Sequence, residues 1–258
     1  MTTHPPLPTP RPDWALFLDF DGTLVEIAPA PCAVAPAPRL RPMLAALAVR
    51  LGGAVALVSG RPLADLDWLL APLVLPAAGL HGLERRRADG AILRAEAPEE
   101  ALAAARARLA DFAARTPGVL LEDKGLTLAL HYRGAPERAA DCRRAARDAA
   151  AVAGGALHLL EGKMVVELRP EGGDKGAAIA AFLAEPPFAG RTPVFAGDDR
   201  TDEDGFAVVA ARGGISLRVG DGRDSVAQYR IASVEALLDW LAALAAEPPL
   251  SPAETANG

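Results

Sequence analysis

Apolar positions in this chain follow two patterns, and the change between them divides it. From Trp14 to about position 88, short continuous apolar runs alternate with amphipathic stretches: Trp14–Leu18, Ala54–Val58 and Val74–Ala78 are the runs. Runs of this length read as strands buried on both faces. A Pro/Ala-rich loop at 28–38 precedes a helix-like segment at 39–51, and a second spans 62–70 with Pro62 in its first turn. This βαβ rhythm predicts an α/β core built on a doubly wound parallel sheet. Between 89 and 167 the rhythm becomes helix (98–115), two strands (118–123, 126–132), helix (136–152), two strands (156–160, 163–169). That repeat predicts an inserted α+β cap domain on an antiparallel sheet. The parallel rhythm then resumes with a helix at 174–184, a strand at 193–196, a helix at 202–211, a strand at 214–219 and a helix at 233–246. The expected layout is a core of 13–88 and 168–246, a cap of 89–167, and tails at 1–12 and 247–258 whose proline-rich and polar residues are not expected to pack.

At 258 residues the chain can bury a sizeable core, and its 51% apolar content, much of it alanine, favours helices. A net charge of −6, with no basic run longer than Arg85-Arg86-Arg87, argues against a nucleic-acid or anionic-membrane partner. The first twelve residues hold five prolines and no apolar signal segment, and no stretch has the length of a membrane span, so a cytoplasmic protein is expected. Cys32 and Cys142 show no metal-binding spacing and are expected to be reduced, buried thiols.

Candidate chemistry gathers where predicted parallel strands end. Asp19-Phe20-Asp21-Gly22 follows the first run, and extended spacing points both carboxylates to one side. The carboxyl ends of open α/β sheets are where ligands bind. A solvated turn is the plain alternative. Ser59-Gly60-Arg61 leads into a helix N-terminus suited to a phosphate oxyanion, with Ser59 as an ordinary N-cap the alternative. Gly172-Gly173-Asp174-Lys175-Gly176 opens another helix, where Lys175 can act as a point charge or be merely solvated. Gly197-Asp198-Asp199-Arg200-Thr201-Asp202-Glu203-Asp204 packs five acids into seven residues. Hard oxygen donors at that density favour Mg²⁺, while Asp202 and Asp204 also suit helix capping.

In this order, the four clusters resemble the phosphatases of the haloacid dehalogenase superfamily, and the insertion between the second and third resembles its C2-type cap. Over residues 14–245 the chain looks like the trehalose-6-phosphate phosphatase family. The four clusters carry that likeness together with Gly79-Leu80-His81-Gly82, Glu122-Asp123-Lys124-Gly125, His131-Tyr132-Arg133, Gly162-Lys163 and Glu167-Leu168-Arg169-Pro170. The Ala/Pro-rich segment 28–38 is one departure from the pattern, and no catalytic position departs.

The resemblance implies Mg²⁺-dependent hydrolysis of trehalose 6-phosphate to trehalose and phosphate, on a Rossmann-like core, with a trehalose-phosphate synthase supplying substrate. It implies Asp19 as the nucleophile that forms a phosphoaspartyl intermediate, Asp21 as general acid and base, and Ser59 and Lys175 on the phosphoryl oxygens. Mg²⁺ would be held by Asp19, the Asp21 carbonyl and Asp198, with Asp199 and Asp202 as further metal candidates. Arg61 would lie beside the phosphate. Lys124, Arg133, Lys163 and Glu167, backed by His81, Glu84, His131 and Arg169, would bind the sugar; simple solvation of these residues is the alternative. A related phosphatase of sucrose phosphate or mannosyl-3-phosphoglycerate, a phosphohexomutase, and a catalytically silent sugar-phosphate-binding regulatory domain also remain open.

Overall fold

The computed structural model describes residues 6–9, 11–221 and 225–246. In chain order it begins with β1 (Trp14–Leu18), α1 (Leu40–Arg50), β2 (Val55–Val58), α2 (Leu63–Leu70), β3 (Ala77–Gly79), β4 (Glu84–Arg86) and β5 (Ile92–Arg94). There follow α3 (Glu99–Ala114), β6 (Leu120–Asp123), β7 (Leu128–His131), α4 (Ala139–Val152), β8 (Leu157–Gly162) and β9 (Val165–Pro170). The chain closes with α5 (Lys175–Leu183), β10 (Thr192–Gly197), α6 (Glu203–Ala210), β11 (Ile215–Val219), β12 (Tyr229–Ile231) and α7 (Val234–Ala246). Two compact units result: one ends at Leu93 and resumes at Asp174, and the other is Arg94–Gly173.

The first unit is a doubly wound α/β layer. Its eight strands run β12-β11-β10-β1-β2-β3-β4-β5. All pairs from β12 to β3 are parallel. Because the first strands build outward from β1 in one direction and the later ones from β10 in the other, the topological switch lies between β1 and β10. Leu18 is in register with Ala196 there, so the acid-rich segments after both strands leave the sheet side by side. Burial of both sheet faces explains the continuous apolar runs: every residue of β1 and β2 is buried. Phe17 stacks on Phe188 at 5.4 Å between centroids, and Phe182 closes on Phe188 at 5.1 Å.

Four strands in this sheet differ from the sequence expectation, among them the short edge strand β12, which was not expected. The third apolar run yields a strand only at Ala77–Gly79, while Val74 is exposed. The β4–β5 hairpin was not expected, because its residues read as a charged run. Arg86 is accommodated by a bidentate pair with Asp67 (2.7 Å to each oxygen) and a bond to the Leu75 carbonyl. Arg85 binds Glu185 and lies over the Phe182 ring. Ion pairing thus makes a strand of an arginine run, and the second unit starts at Arg94 rather than 89. Its end at Gly173 likewise lies beyond 167, since β9 continues to Pro170.

The expected tails need correction where they are described. Leu7 packs against the core, and the Pro12 carbonyl accepts a bond from Arg191. Residues 1–5, 10 and 247–258 lie outside the described residues. Cys32 is exposed rather than buried; Cys142 is buried in the second unit, and both are free thiols. Among the described residues, no helix is long and apolar enough to cross a membrane.

In the second unit the sheet order is β6-β7-β9-β8, antiparallel throughout. One face, with Leu128, Leu130, Val166 and Leu168, packs on Leu102, Ala105 and Leu109 of α3 and Cys142 and Ala146 of α4. Period-two alternation sends Glu122, Lys124, Ala129, His131, Glu167 and Arg169 to the opposite face. Register carries this across strands, with Glu122 opposite Ala129 and Ala129 opposite Glu167.

Candidate active site

At the switch point, β1 ends at Leu18 and the next carboxylate, Asp19, is buried. Its Oδ1 accepts a bond from Lys175 Nζ at 2.7 Å and its Oδ2 one from Thr23 Oγ1 at 3.0 Å. Lys175, the first residue of α5, is itself 3% exposed and donates also to Asp202 Oδ1 at 2.6 Å. It is no solvated first-turn lysine. Burial opposes its positive charge, but Asp19 and Asp202 outweigh that effect and raise its pKa. Burial pushes the Asp19 carboxyl well up; Lys175 pulls it down, and Asp202 and Asp198 push it up again. Three clustered carboxylates, two of them on the Lys175 ammonium, outnumber the one positive charge and suit a further cation.

The donor set fits a hard metal ion. Asp19, Asp198 and Asp202 each bring a carboxylate oxygen within 4.8 Å of the others. Gly22 makes room for Asp198: a Cβ there would lie 2.2 Å from its Oδ2, and φ is +81°. Asp202 is also an anchor, since its Oδ2 accepts the backbone N–H groups of Asp198 (3.0 Å) and Asp199 (2.9 Å). It does not cap α6 through its side chain. Asp199, expected as a metal candidate, caps the short turn Arg200–Asp202 instead, with its carboxylate accepting from Arg200 N.

The group of clustered carboxylates around Asp19 does not include Asp21. The strand ends before both, and the Asp21 carboxylate turns to Arg61, whose Nε and Nη2 bind its two oxygens at 2.6 and 2.8 Å. Arg61, expected beside phosphate, is thereby a partner of the acid–base candidate. Ser59 Oγ accepts the Arg61 N–H at 3.1 Å, so it is not the cap of α2. Glu84 does that work. Its Oε1 accepts Leu63 N at 2.6 Å, which places this predicted sugar ligand in the scaffold. His81 has φ +56°, donates its backbone N–H to the Ser59 carbonyl at 2.9 Å, and lays its ring against Gly60, where a Cβ would lie 2.6 Å from Nε2. It braces the Ser59–Arg61 loop.

The open face of the second unit gathers a separate group. Lys124 Nζ lies 3.5 Å from Glu167 Oε1 and 3.9 Å from Glu122 Oε2, and His131 Nε2 is 2.7 Å from that same Glu122 oxygen. Thr127 Oγ1 donates to Glu167 Oε1. Burial raises the Glu122 pKa, but the His131 bond and the Lys124 charge reverse this and hold it below its ordinary value. Glu122 and Thr127 were not among the predicted ligands; spacing of two from Lys124 puts Glu122 on the same strand face, a signal present in the sequence. Arg133, Lys163 and Arg169 stand apart. Arg133 binds the Lys163 carbonyl, Lys163 is exposed, and Arg169 clasps the carbonyls of Gly172 and Gly173.

A buried aspartate held by a lysine, next to an acidic metal cradle at the switch of a parallel sheet, defines the class: a haloacid-dehalogenase-type phosphoric monoester hydrolase. The trehalose-phosphatase family profile matches residues 17–235. The chain belongs to that family. It is 47% identical over 240 residues to a probable trehalose-phosphate phosphatase of Sinorhizobium fredii (strain NBRC 101917 / NGR234), covering 93% of this chain and 90% of the relative. Against the trehalose-6-phosphate phosphatase of Escherichia coli (strain K12) the identity is 42% over 241 residues, with the same coverage of 93% and 90%. The crystal structure of a trehalose-6-phosphate phosphatase related protein superposes with a TM-score of 0.75 at 26% identity, covering 89% of this chain and 96% of the other.

Proposed function

We propose that the chain hydrolyses trehalose 6-phosphate to trehalose and inorganic phosphate in the cytoplasm, on substrate supplied by a trehalose-phosphate synthase. The observation that carries this reading is the Asp19–Lys175–Asp202 cluster beside Asp198, a nucleophile and metal cradle in a family of sugar-phosphate hydrolases. Asp19 attacks phosphorus in line, forming an Asp19 oxygen–phosphorus bond as the bond to the sugar oxygen breaks. Asp21 gives that oxygen a proton, then takes one from the water that hydrolyses the phosphoaspartate and frees Asp19. Either transfer uses a lone pair that the Arg61 fork leaves free, since the fork takes one site on each Asp21 oxygen and holds the carboxylate in place. Lys175 and Ser59 bind the phosphoryl oxygens, the electrostatic contribution on which phosphoryl transfer depends. Asp19, Asp198 and the Asp21 carbonyl would hold Mg²⁺, which would supply positive charge to offset the negative charges of the nucleophile and the phosphate. Asp202 fixes Lys175 and the Asp198 backbone. Glu122, Lys124 and Glu167 bind sugar hydroxyls, because acceptors and a donor pre-set for hydroxyls reject ligands that lack them.

The test is phosphate release from a panel of trehalose 6-phosphate, sucrose 6-phosphate and glucose 6-phosphate, with and without EDTA. The expected outcome is EDTA-sensitive release that strongly favours trehalose 6-phosphate. Comparable rates on all three would refute the substrate, and release indifferent to EDTA would refute the metal.

A further inference from the structure

We infer that His131 and Thr127 are positioning residues that set sugar selectivity, each fixing one of the two carboxylates that flank Lys124. This rests on the trehalose 6-phosphate reading and deepens it. The three charged groups form an acceptor–donor–acceptor row, with Glu122 and Glu167 3.9 and 3.5 Å from the Lys124 ammonium. A row of that spacing matches adjacent hydroxyls on a sugar ring, provided neither glutamate swings away.

Both glutamates have long side chains, and ordering one costs rotamer entropy. Each is held through one carboxylate oxygen by a neighbouring side chain. His131 Nε2 meets Glu122 Oε2 at 2.7 Å, from two strand positions beyond the Ala129 that lies opposite Glu122. Thr127 is fully buried, and its hydroxyl donates to Glu167 Oε1 from the turn that joins β6 to β7. That turn is itself built for the purpose: Lys124 N bonds the Thr127 carbonyl at 3.0 Å, and Gly125 adopts φ +81°. It therefore sets Lys124 and Thr127 beside each other at the strand end. A carboxylate has about four lone-pair sites, so the bond from His131 or Thr127 can fix each acid without using all its capacity for a hydroxyl. The small Ala129 between Glu122 and Glu167 in the register keeps the row clear. The lowered pKa of Glu122 agrees with its being kept as an acceptor.

Two double-mutant cycles on the full chain test this: His131→Ala with Glu122→Ala, and Thr127→Val with Glu167→Ala, read as kcat and KM on trehalose 6-phosphate. Each positioning variant should lose about tenfold in kcat/KM, mostly through KM, as expected for a lost bond to a charged group. In the background that already lacks the partner acid the same change should cost less than about twofold, because the two residues act as one unit. His131→Gln and Thr127→Ser, which keep a donor, should recover most of the loss. Additive losses, or conservative variants as poor as the truncations, would overturn the inference. The Thr127 cycle reads the same outcome should His131→Ala fail to fold. Wild-type enzyme that releases no phosphate from trehalose 6-phosphate would defeat the functional reading itself. An additive cycle in an active enzyme defeats only this one.

Discussion

The two units hold their polar groups by different means. In the first, Asp19, Lys175, Asp198 and Asp202 are locked by backbone amides, by one another and by glycines that leave no space for a side chain. In the second, Glu122, Lys124, His131 and Glu167 lean on side chains from neighbouring strands of one sheet face. Backbone-locked groups tolerate almost no change, and suit chemistry common to many substrates. Groups set by side-chain pairs can be altered singly, and suit the choice of sugar.

The largest expected effect is at Asp19, the proposed nucleophile. Asp19→Asn should lower kcat by at least about 10³-fold while still binding trehalose 6-phosphate in a calorimeter; a variant within tenfold of wild type removes Asp19 from that role. Next comes Gly22→Ala. Its Cβ would meet Asp198 Oδ2 at 2.2 Å, and its φ of +81° disfavours any side chain. A loss of about 10- to 100-fold in kcat/KM with a raised Mg²⁺ requirement is predicted, and unchanged metal dependence would separate Asp198 from the cradle. In the second unit, Lys124→Met should cost about 10- to 100-fold, seen in KM more than in kcat.

The smallest effect concerns stability. Glu185 is held from its ordinary 4.5 down to about 2, chiefly by its bond to Arg85, with burial opposing and Arg87 assisting. A depressed pKa means the contribution is present above 4.5 and is lost as pH falls through about 2. Glu185→Gln should therefore lower Tm by about 3 °C near neutrality, with the difference from wild type shrinking as pH drops from about 4.5 towards 2.

The same contrast explains what was legible in the sequence. The core chemistry sits in contiguous motifs after buried strands, so Asp19, Lys175 and Asp198 are readable from local order. The division of labour within a motif is not. Asp199 and Asp202 are three residues apart, and only tertiary position makes one a turn cap and the other a buried anchor. Asp21 and Arg61, forty residues apart, pair only once β1 and β2 lie side by side. Glu84 has the look of a ligand but caps a helix, and the β4–β5 hairpin hides because its charges are neutralised by Asp67 and Glu185. On the second sheet, period two identifies the polar face, yet which of its charges meet depends on strand register. Hence Lys124, His131 and Glu167 gather, while Arg133, Lys163 and Arg169 do not.

The division between chemistry and sugar choice is tested most directly by one ratio: kcat/KM for trehalose 6-phosphate over that for glucose 6-phosphate, in wild type, Thr23→Val and Lys124→Met. Thr23 bonds Asp19, the proposed nucleophile, so its loss should slow both substrates together and leave the ratio within about threefold. Lys124→Met should lower the ratio at least about tenfold. A core variant that moves the ratio as far as the Lys124 variant would contradict the account.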